Sequence, residues 1–272
     1  MSLSINANTS AIVRSLNTAT VQTDDSMKRL SSGQRINSAK DDAAGLAIAT
    51  RMQSRLQGMN VAQRNAGDAL SLAQTADSTL GQTTDLMTRM RELATQAANA
   101  TNGTSDLAKL DKEYQELGKE VTRTLGGADF NGKKILGAGA GANDFIVGAD
   151  STDVITVTTT NMAADTTVTA ATGGSLTSAA SAKTAMDNLA TALDTVNTER
   201  ALYGATQSRF ESVITGLQTQ TDSLTTARGR ITDTDYATET SKMQKNNVLQ
   251  QASMAMLSQA NAKPQQVLQL LR

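Results

Sequence analysis

The feature that most constrains this chain is an apolar residue at every seventh position, sustained over a long stretch in each half of the sequence. The first run consists of Met52, Met59, Ala66, Ala73, Leu80, Met87 and Ala94. The second run consists of Leu189, Val196, Tyr203, Phe210, Leu217, Leu224 and Ile231. A repeat of this period over so many heptads is typical of helices that pack side by side along their length. We therefore predict two long helices whose heptad residues form the core of a rod.

Composition agrees with long helices and excludes several kinds of active site. Aromatic residues make up 2% of the chain, and Pro264 is its one proline, so the strongest helix breaker is scarce. The sequence contains no Cys and no His, which rules out thiolate and imidazole metal sites and every His-based catalytic triad. We expect no catalytic, cofactor-binding or metal-binding residues, and we predict that the protein is not an enzyme.

Charge and hydropathy give no reason to expect nucleic acid or a membrane as a partner. The formal net charge is −1, so the chain lacks the basic balance typical of nucleic-acid binding. No segment approaches the roughly 20 consecutive apolar residues of a membrane-spanning helix. The N-terminal stretch Met1–Ser10 also lacks the basic cluster and apolar core of a cleaved signal peptide.

Both ends of the chain carry a further apolar stripe at helical spacing. At the N-terminal end the stripe includes Ile5, Ile12, Leu16 and Leu30. At the C-terminal end it includes Met243, Met254, Leu257, Val267, Leu270 and Leu271. Isolated amphipathic helices with such partly polar stripes are marginal in water. We predict that the two ends pair with each other or with copies in other subunits, and that these residues mediate assembly.

The middle of the chain interrupts the helical pattern. Glycines and short β-branched runs, such as 154–157, predict strands and turns rather than helix. The predicted fold class is mainly α: a long coiled-coil-like helical rod formed by both chain ends, with a short insert that contains a β-hairpin. The predicted domains are a terminal-helix domain from residues 1–40 and 233–272, and a rod domain from 41–232. Within the rod we expect helices at about 41–100, 105–127 and 181–231, and a β-rich insert at about 128–180.

Long strings near both ends resemble the bacterial flagellins. The N-terminal strings are RLSSGQRINSAKDDAAGLAIA at residues 29–49 and AQRNAGDALSLAQTADSTL at residues 62–80. The C-terminal strings are ARGRITDTDYATE at residues 227–239 and LQQASMAMLSQANAKPQQVLQLLR at residues 249–272. The resemblance covers nearly all of residues 1–136 and 182–272, whereas the middle is similar in style alone. It therefore implies a short flagellin without large outer domains.

The resemblance implies a structural function: self-assembly into the helical flagellar filament, which serves bacterial motility. The partners it implies are other copies of the chain, a cytosolic export chaperone, and the filament cap and junction proteins. It also implies export through the flagellar type III apparatus without a cleaved signal peptide, and an extracellular location in the filament.

A flagellin-sensing Toll-like receptor of animals is a further partner that the resemblance suggests. The segment that would contact it includes Arg89, Leu93 and Glu113. Thr88 stands where recognised flagellins often carry Gln, so recognition and a purely structural role both remain open.

Three other functions fit parts of the sequence. The hook–filament junction protein is a flagellin relative that shares the terminal helices, but the string at residues 29–49 favours flagellin itself. A signalling coiled coil of the chemoreceptor type would be expected to have membrane helices and a helical tip at its centre. An enzyme is the least supported, because the chain contains no recognisable catalytic constellation.

One acidic cluster near the C-terminal end allows two interpretations. Asp233, Asp235 and Glu239 could suggest a cation site, but the further ligands and the glycine of a calcium loop are missing. We expect that the two aspartates instead cap the final helix.

Overall fold

The computed structural model describes the backbone of residues 5–270 and the side chains of residues 9–262. The helices are α1 (Ile5–Ser32), α2 (Ala43–Ala97), α3 (Thr104–Gly127), α4 (Thr166–Thr172), α5 (Ala179–Thr232) and α6 (Tyr236–Leu270). The strands are β1 (Asp129–Phe130), β2 (Lys133–Lys134), β3 (Ala142–Ile146) and β4 (Val154–Thr158). The prediction of a mainly α fold with a small β-hairpin insert is confirmed.

The chain forms two compact units that divide within its longest helices. The terminal unit comprises Met1–Arg55 and Asp222–Arg272, and the central unit comprises Leu56–Thr221. The sequence placed these boundaries at 40/41 and 232/233, where the helical pattern changes. The compact units divide further inward, so the first residues of α2 and the last of α5 belong to the terminal unit.

The core of the central unit follows the heptad pattern. Ala66, Ala73, Leu80, Met87, Ala94, Leu189, Val196, Tyr203 and Phe210 are fully buried there, and Met59 and Leu217 are nearly so. The run of small residues on α2 leaves room for neighbouring elements to approach closely. The heptad positions that fall in the terminal unit, Met52, Leu224 and Ile231, are half-buried.

Helix α3 packs against the insert at a point where a side chain would not fit. A Cβ atom on Gly118 would lie 2.7 Å from the carbonyl oxygen of Thr172 at the end of α4. Nearby, the Tyr114 hydroxyl donates a hydrogen bond to the carbonyl of Ala171 at 2.6 Å. The glycine therefore allows the close approach of α3 to α4, and the tyrosine links the two helices by a hydrogen bond.

The insert contains more helix than the sequence predicted. Its two hairpins pair β1 with β2 and β3 with β4, both antiparallel. Asp165 then caps α4, because its carboxylate accepts from the backbone N–H groups of Thr167 and Val168. On β4, Ile155 and Val157 are buried while their neighbours face outward, and Phe145 of β3 makes an edge-to-face contact with Phe210 of α5. The insert is thus anchored to the central core by alternating strand residues.

Candidate assembly surface

In the terminal unit, α1 and α6 run antiparallel, and a short backbone ladder joins the segment that follows α1 to the segment that precedes α6. Thr234 donates from its backbone N–H to the Gly33 carbonyl at 3.0 Å, and Arg35 donates to the Thr232 carbonyl at 2.6 Å. Gly33 adopts a φ of +69°, a conformation that favours glycine. The chain after α1 and the chain before α6 are therefore held side by side.

Asp235 caps α6 at this junction. Its carboxylate accepts from the backbone N–H groups of Ala237 at 3.0 Å and Thr238 at 3.3 Å, and from the Thr238 hydroxyl. These hydrogen bonds lower the pKa of the Asp235 carboxyl, with the Thr238 hydroxyl as the largest contribution. Among the described residues, no group of three or more acidic side chains could hold a metal ion. The geometry of Asp235 is that of a helix cap, as the sequence suggested, whereas the Asp233 carboxylate accepts a hydrogen bond from the Thr232 hydroxyl instead.

The sides of α1 and α6 that face each other follow coiled-coil spacing, and polar and apolar side chains share them about equally. On both helices the less exposed positions recur at alternating intervals of three and four residues. On α1 they are Thr9, Ile12, Leu16, Ala19, Thr23, Ser26 and Leu30. On α6 they are Glu239, Met243, Asn246, Gln250, Ser253, Leu257 and Ala260. We call this set the seam.

The most buried acidic group of the seam is Glu239, whose residue is 6% exposed. Its carboxylate accepts a hydrogen bond from the Ser26 hydroxyl of α1 at 2.8 Å. The Arg29 guanidinium lies 3.8 Å away, and the Lys242 ammonium lies 3.3 Å from the other carboxylate oxygen. Burial raises the pKa of Glu239, but the Ser26 hydroxyl and the two cations outweigh it and hold the pKa below its usual value. The carboxylate is thus stabilised in its charged form.

Large apolar side chains lie on the outward surface of the same helix pair. Val21 of α1 is 59% exposed, and Val248 and Met256 of α6 are 62% and 61% exposed. The outward aliphatic and Met residues of the described part of the pair are Val13, Val21, Met27, Val248, Leu249, Met254 and Met256. The usual arrangement, apolar inside and polar outside, is therefore partly reversed in this pair. An apolar surface of this kind marks a site where another protein surface can bind.

The predicted terminal-helix residues divide between the seam and the outward surface. Ile12, Leu16, Leu30, Met243 and Leu257 lie half-buried on the seam, whereas Met254 is exposed. The side chains of Ile5, Val267 and Leu270 lie outside the described part of the chain, and Leu271 lies outside it entirely.

Sequence reasoning missed the polar centre of the seam. Ser26, Glu239 and Asn246 are all buried, yet an apolar stripe was taken as the sign of the contacting face. Their residue types are those of a solvent-facing surface, so the apolar pattern gave no sign of their burial.

In the central unit, an ion-pair cluster joins α2 to α3. The Arg89 guanidinium donates to Glu113 at 2.9 Å and to Glu92 at 3.0 Å, and the Glu113 hydrogen bond is the main reason that the pKa of Arg89 is raised. Arg89 and Glu113 are exposed, but Leu93 is 2% exposed and faces the core. Of the three residues predicted for a receptor contact, Leu93 is therefore inaccessible in this structure.

Within residues 5–270, no helix is long and apolar enough to cross a membrane.

Two family models match most of the chain. Residues 3–140 match the bacterial flagellin N-terminal helical region, and residues 186–271 match the bacterial flagellin C-terminal helical region. The two matches leave out the part of the chain that contains β3, β4 and α4.

Full-length relatives agree with these matches. The flagellin of Halalkalibacterium halodurans is 41% identical over 246 residues, which cover 90% of each chain. The flagellin of Bacillus subtilis is 38% identical over 278 residues, covering 90% of this chain and 91% of that one. The flagellar filament 30.7 kDa core protein of Treponema maltophilum is 38% identical over 263 residues, covering 92% of each.

Solved structures show the same fold. The crystal structure of Bacillus cereus flagellin is 35% identical with a TM-score of 0.51, covering 57% of this chain and 88% of that one. A putative flagellar hook-associated protein from Vibrio parahaemolyticus gives a TM-score of 0.59 at 11% identity, covering 71% of this chain and 100% of that one. At 11% identity the second likeness shows the fold alone.

Proposed function

The chain belongs to the bacterial flagellin family, and from that premise we propose how it acts as a structural subunit of the flagellar filament. We propose that the outward apolar residues of α1 and α6 are the surface through which copies of the chain bind one another. The observation that carries this proposal is the distribution in the terminal unit, where polar residues occupy half of the seam while large apolar residues face outward.

The energetics of the two faces support assembly rather than a stable isolated pair. Half of the seam positions carry polar side chains, so the seam buries less apolar area between α1 and α6 than a fully apolar seam would. Fully burying an exposed Val, Leu or Met side chain is worth about 1.5–3 kcal/mol. Coverage of the outward residues by neighbouring copies therefore supplies the stabilisation that the seam lacks, and it couples the folding of this pair to assembly.

The remaining partners and the export route are part of the proposal. The outward surface also offers an apolar site for a cytosolic export chaperone before assembly, and for the filament cap and junction proteins at the filament ends. Export without a cleaved signal peptide would deliver the subunit to the extracellular filament. In the central unit, Arg89 and Glu113 are the accessible groups for recognition by an innate receptor.

The test introduces a charge into the outward surface. We expect Val248→Asp and Met256→Asp to abolish filament growth from added seeds, because a carboxylate would have to be buried at each contact. The central unit should keep its helical circular dichroism and thermal unfolding, since neither residue belongs to it. Electron microscopy and sedimentation measure the filaments.

The matched control is Gln244→Asp, which places the same charge at an exposed polar position of α6. It should leave assembly within a few-fold of the unsubstituted chain. Normal filaments from both Val248→Asp and Met256→Asp would refute the proposed surface.

A further inference from the structure

We propose that Glu239, through the hydrogen bond that it accepts from Ser26, fixes the register in which α1 and α6 pair. This inference rests on the assembly role proposed above, because the register decides which outward apolar residues of the two helices lie side by side. Glu239 is thus a positioning residue for assembly, and it need not contact a neighbouring subunit.

The partners of Glu239 make its burial depend on the register. Ser26 and Arg29 lie on α1, whereas Lys242 lies on the same helix as Glu239. Sliding α6 along α1 would leave the contact with Lys242 intact and would remove both partners on the opposite helix. A buried carboxylate that loses its hydrogen-bond donor is strongly disfavoured.

The seam offers no replacement for Ser26 one heptad away. A slide of seven residues would bring Glu239 level with Ala19 in one direction or with Gly33 in the other. Neither residue has a side-chain donor. The other seam positions distinguish less between the native register and a shifted one, because small, hydroxyl and aliphatic side chains recur along both helices. A single buried polar residue can specify register in this way in coiled coils.

An incorrect register would disrupt the outward surface. Seven residues of helix correspond to roughly 10 Å of axial displacement. Met254 and Val248 would move by that distance relative to Val13 and Val21, so different exposed apolar residues of the two helices would lie at the same level. One buried hydrogen bond inside the pair therefore influences which apolar residues lie at the same level on the surface outside it.

The test uses cysteine pairs as register reporters in assembled filaments, which is straightforward because the chain contains no Cys. Thr20 accepts a hydrogen bond from the Gln250 side chain at 3.3 Å, so Thr20→Cys with Gln250→Cys reports the native register. Val13 and Met27 lie one heptad on either side of Thr20. Val13→Cys or Met27→Cys with Gln250→Cys therefore reports a slide in either direction.

A short thiol-reactive crosslinker should join the native pair within one subunit and leave the two slipped pairs almost unreacted. In Glu239→Leu, the apolar side chain can be buried in any register, so we expect crosslinking of at least one slipped pair to rise several-fold. Glu239→Gln keeps an oxygen that can accept from Ser26, and it should retain the native pattern.

Glu211→Leu is the matched control, because it removes an exposed carboxylate from α5 and should leave the crosslinking unchanged. If Glu239→Leu does not assemble, the Ser26→Ala variant tests the inference instead. It removes the hydrogen-bond donor alone, and it should also raise crosslinking of a cysteine pair that reports a slide. A native pattern in Glu239→Leu filaments, or in Ser26→Ala filaments, would overturn the inference. Failure of the unsubstituted chain to assemble would instead count against the proposed function.

Discussion

The hydroxyl of Tyr114 on α3 donates a hydrogen bond of 2.6 Å to the backbone carbonyl of Ala171 on α4, within a core that leaves the tyrosine fully buried. This bond ties the last helix of the insert to the central unit. Because α4 has seven residues, its own backbone hydrogen bonds are too few to hold it in place alone.

Replacing Tyr114 by Phe should destabilise the central unit by about 1–2 kcal/mol, the usual cost of a lost buried hydrogen bond. The ring remains, so the packing changes little. Chemical denaturation followed by circular dichroism measures the effect. Tyr236→Phe is the control: Tyr236 is 55% exposed and donates to the Leu30 carbonyl, so its loss should cost under about 0.5 kcal/mol. Equal effects of the two substitutions would contradict the anchoring role of Tyr114.

Two buried tyrosines should make the central unit labile to alkali. Burial raises the pKa of Tyr114 to about 12, and burial also raises the pKa of Tyr203 to about 12, in each case from an ordinary value of 10.0. A raised pKa favours the folded state below the ordinary value, and this stabilisation is lost as the pH rises from 10 through 12. Each tyrosine contributes roughly 2–3 kcal/mol to this dependence.

Absorbance of tyrosinate gives a direct measurement, because the chain has no Trp and three Tyr. We expect two of the three residues to ionise late and together with loss of helical circular dichroism. Tyr203→Phe should remove one late ionisation and reduce the loss of stability at high pH. Ionisation of all three tyrosines while the helices stay intact would disprove the burial argument.

Gly118 should tolerate no side chain, in contrast to a glycine elsewhere in the same unit. A Cβ atom at Gly118 would meet the Thr172 carbonyl oxygen at 2.7 Å, so Gly118→Ala should cost about 1–3 kcal/mol through displacement of α4. Gly67 of α2 has open space around the same atom, and Gly67→Ala should stabilise the helix by about 0.5–1 kcal/mol. Urea unfolding of the two variants compares them, and a change of the same sign in both would argue against the close contact.

The sequence predicted the fold best where apolar residue types fall at the spacing of a helix face that is buried in the structure. The heptad residues of α2 and α5 are apolar, and those in the central unit are also buried, so their spacing predicted two long helices. Helix α4 was missed because four of its seven residues are Thr, which has weak helix propensity, and because its formation depends on the Asp165 cap and on contacts with α3.

The seam was harder to predict because polarity and burial disagree there. Glu239 and Ser26 have the residue types of a solvent-facing surface, and their burial follows from a contact between positions 213 residues apart. No local pattern records such a contact. Met254 shows the opposite case. Its apolar side chain predicted a place on a contact face, yet it lies outward in the single chain. An exposed apolar residue in one subunit is compatible with burial in a polymer.

Acid should weaken the pairing of α1 and α6 through Glu239. Its pKa in the folded state lies below the ordinary value of 4.5, although burial acts in the opposite direction. A lowered pKa means that the stabilisation is present above the ordinary value and is lost as the pH falls through the folded value. The charged groups that face the carboxylate are Arg29 of α1 and Lys242 of α6, and both remain cationic over this range.

We therefore expect filaments of the unsubstituted chain to dissociate as the pH falls below about 4.5, the range in which Glu239 takes up a proton. Glu239→Gln carries no titrating group at this position, so its filaments should be less sensitive to acid, with a shallower dependence of dissociation on pH. Light scattering across a pH series measures the dissociation, and Glu211→Gln tests whether any lost carboxylate has the same effect. Identical acid profiles for Glu239→Gln and the unsubstituted chain would mean that other carboxylates govern the response, since the glutamine variant leaves every one of them in place.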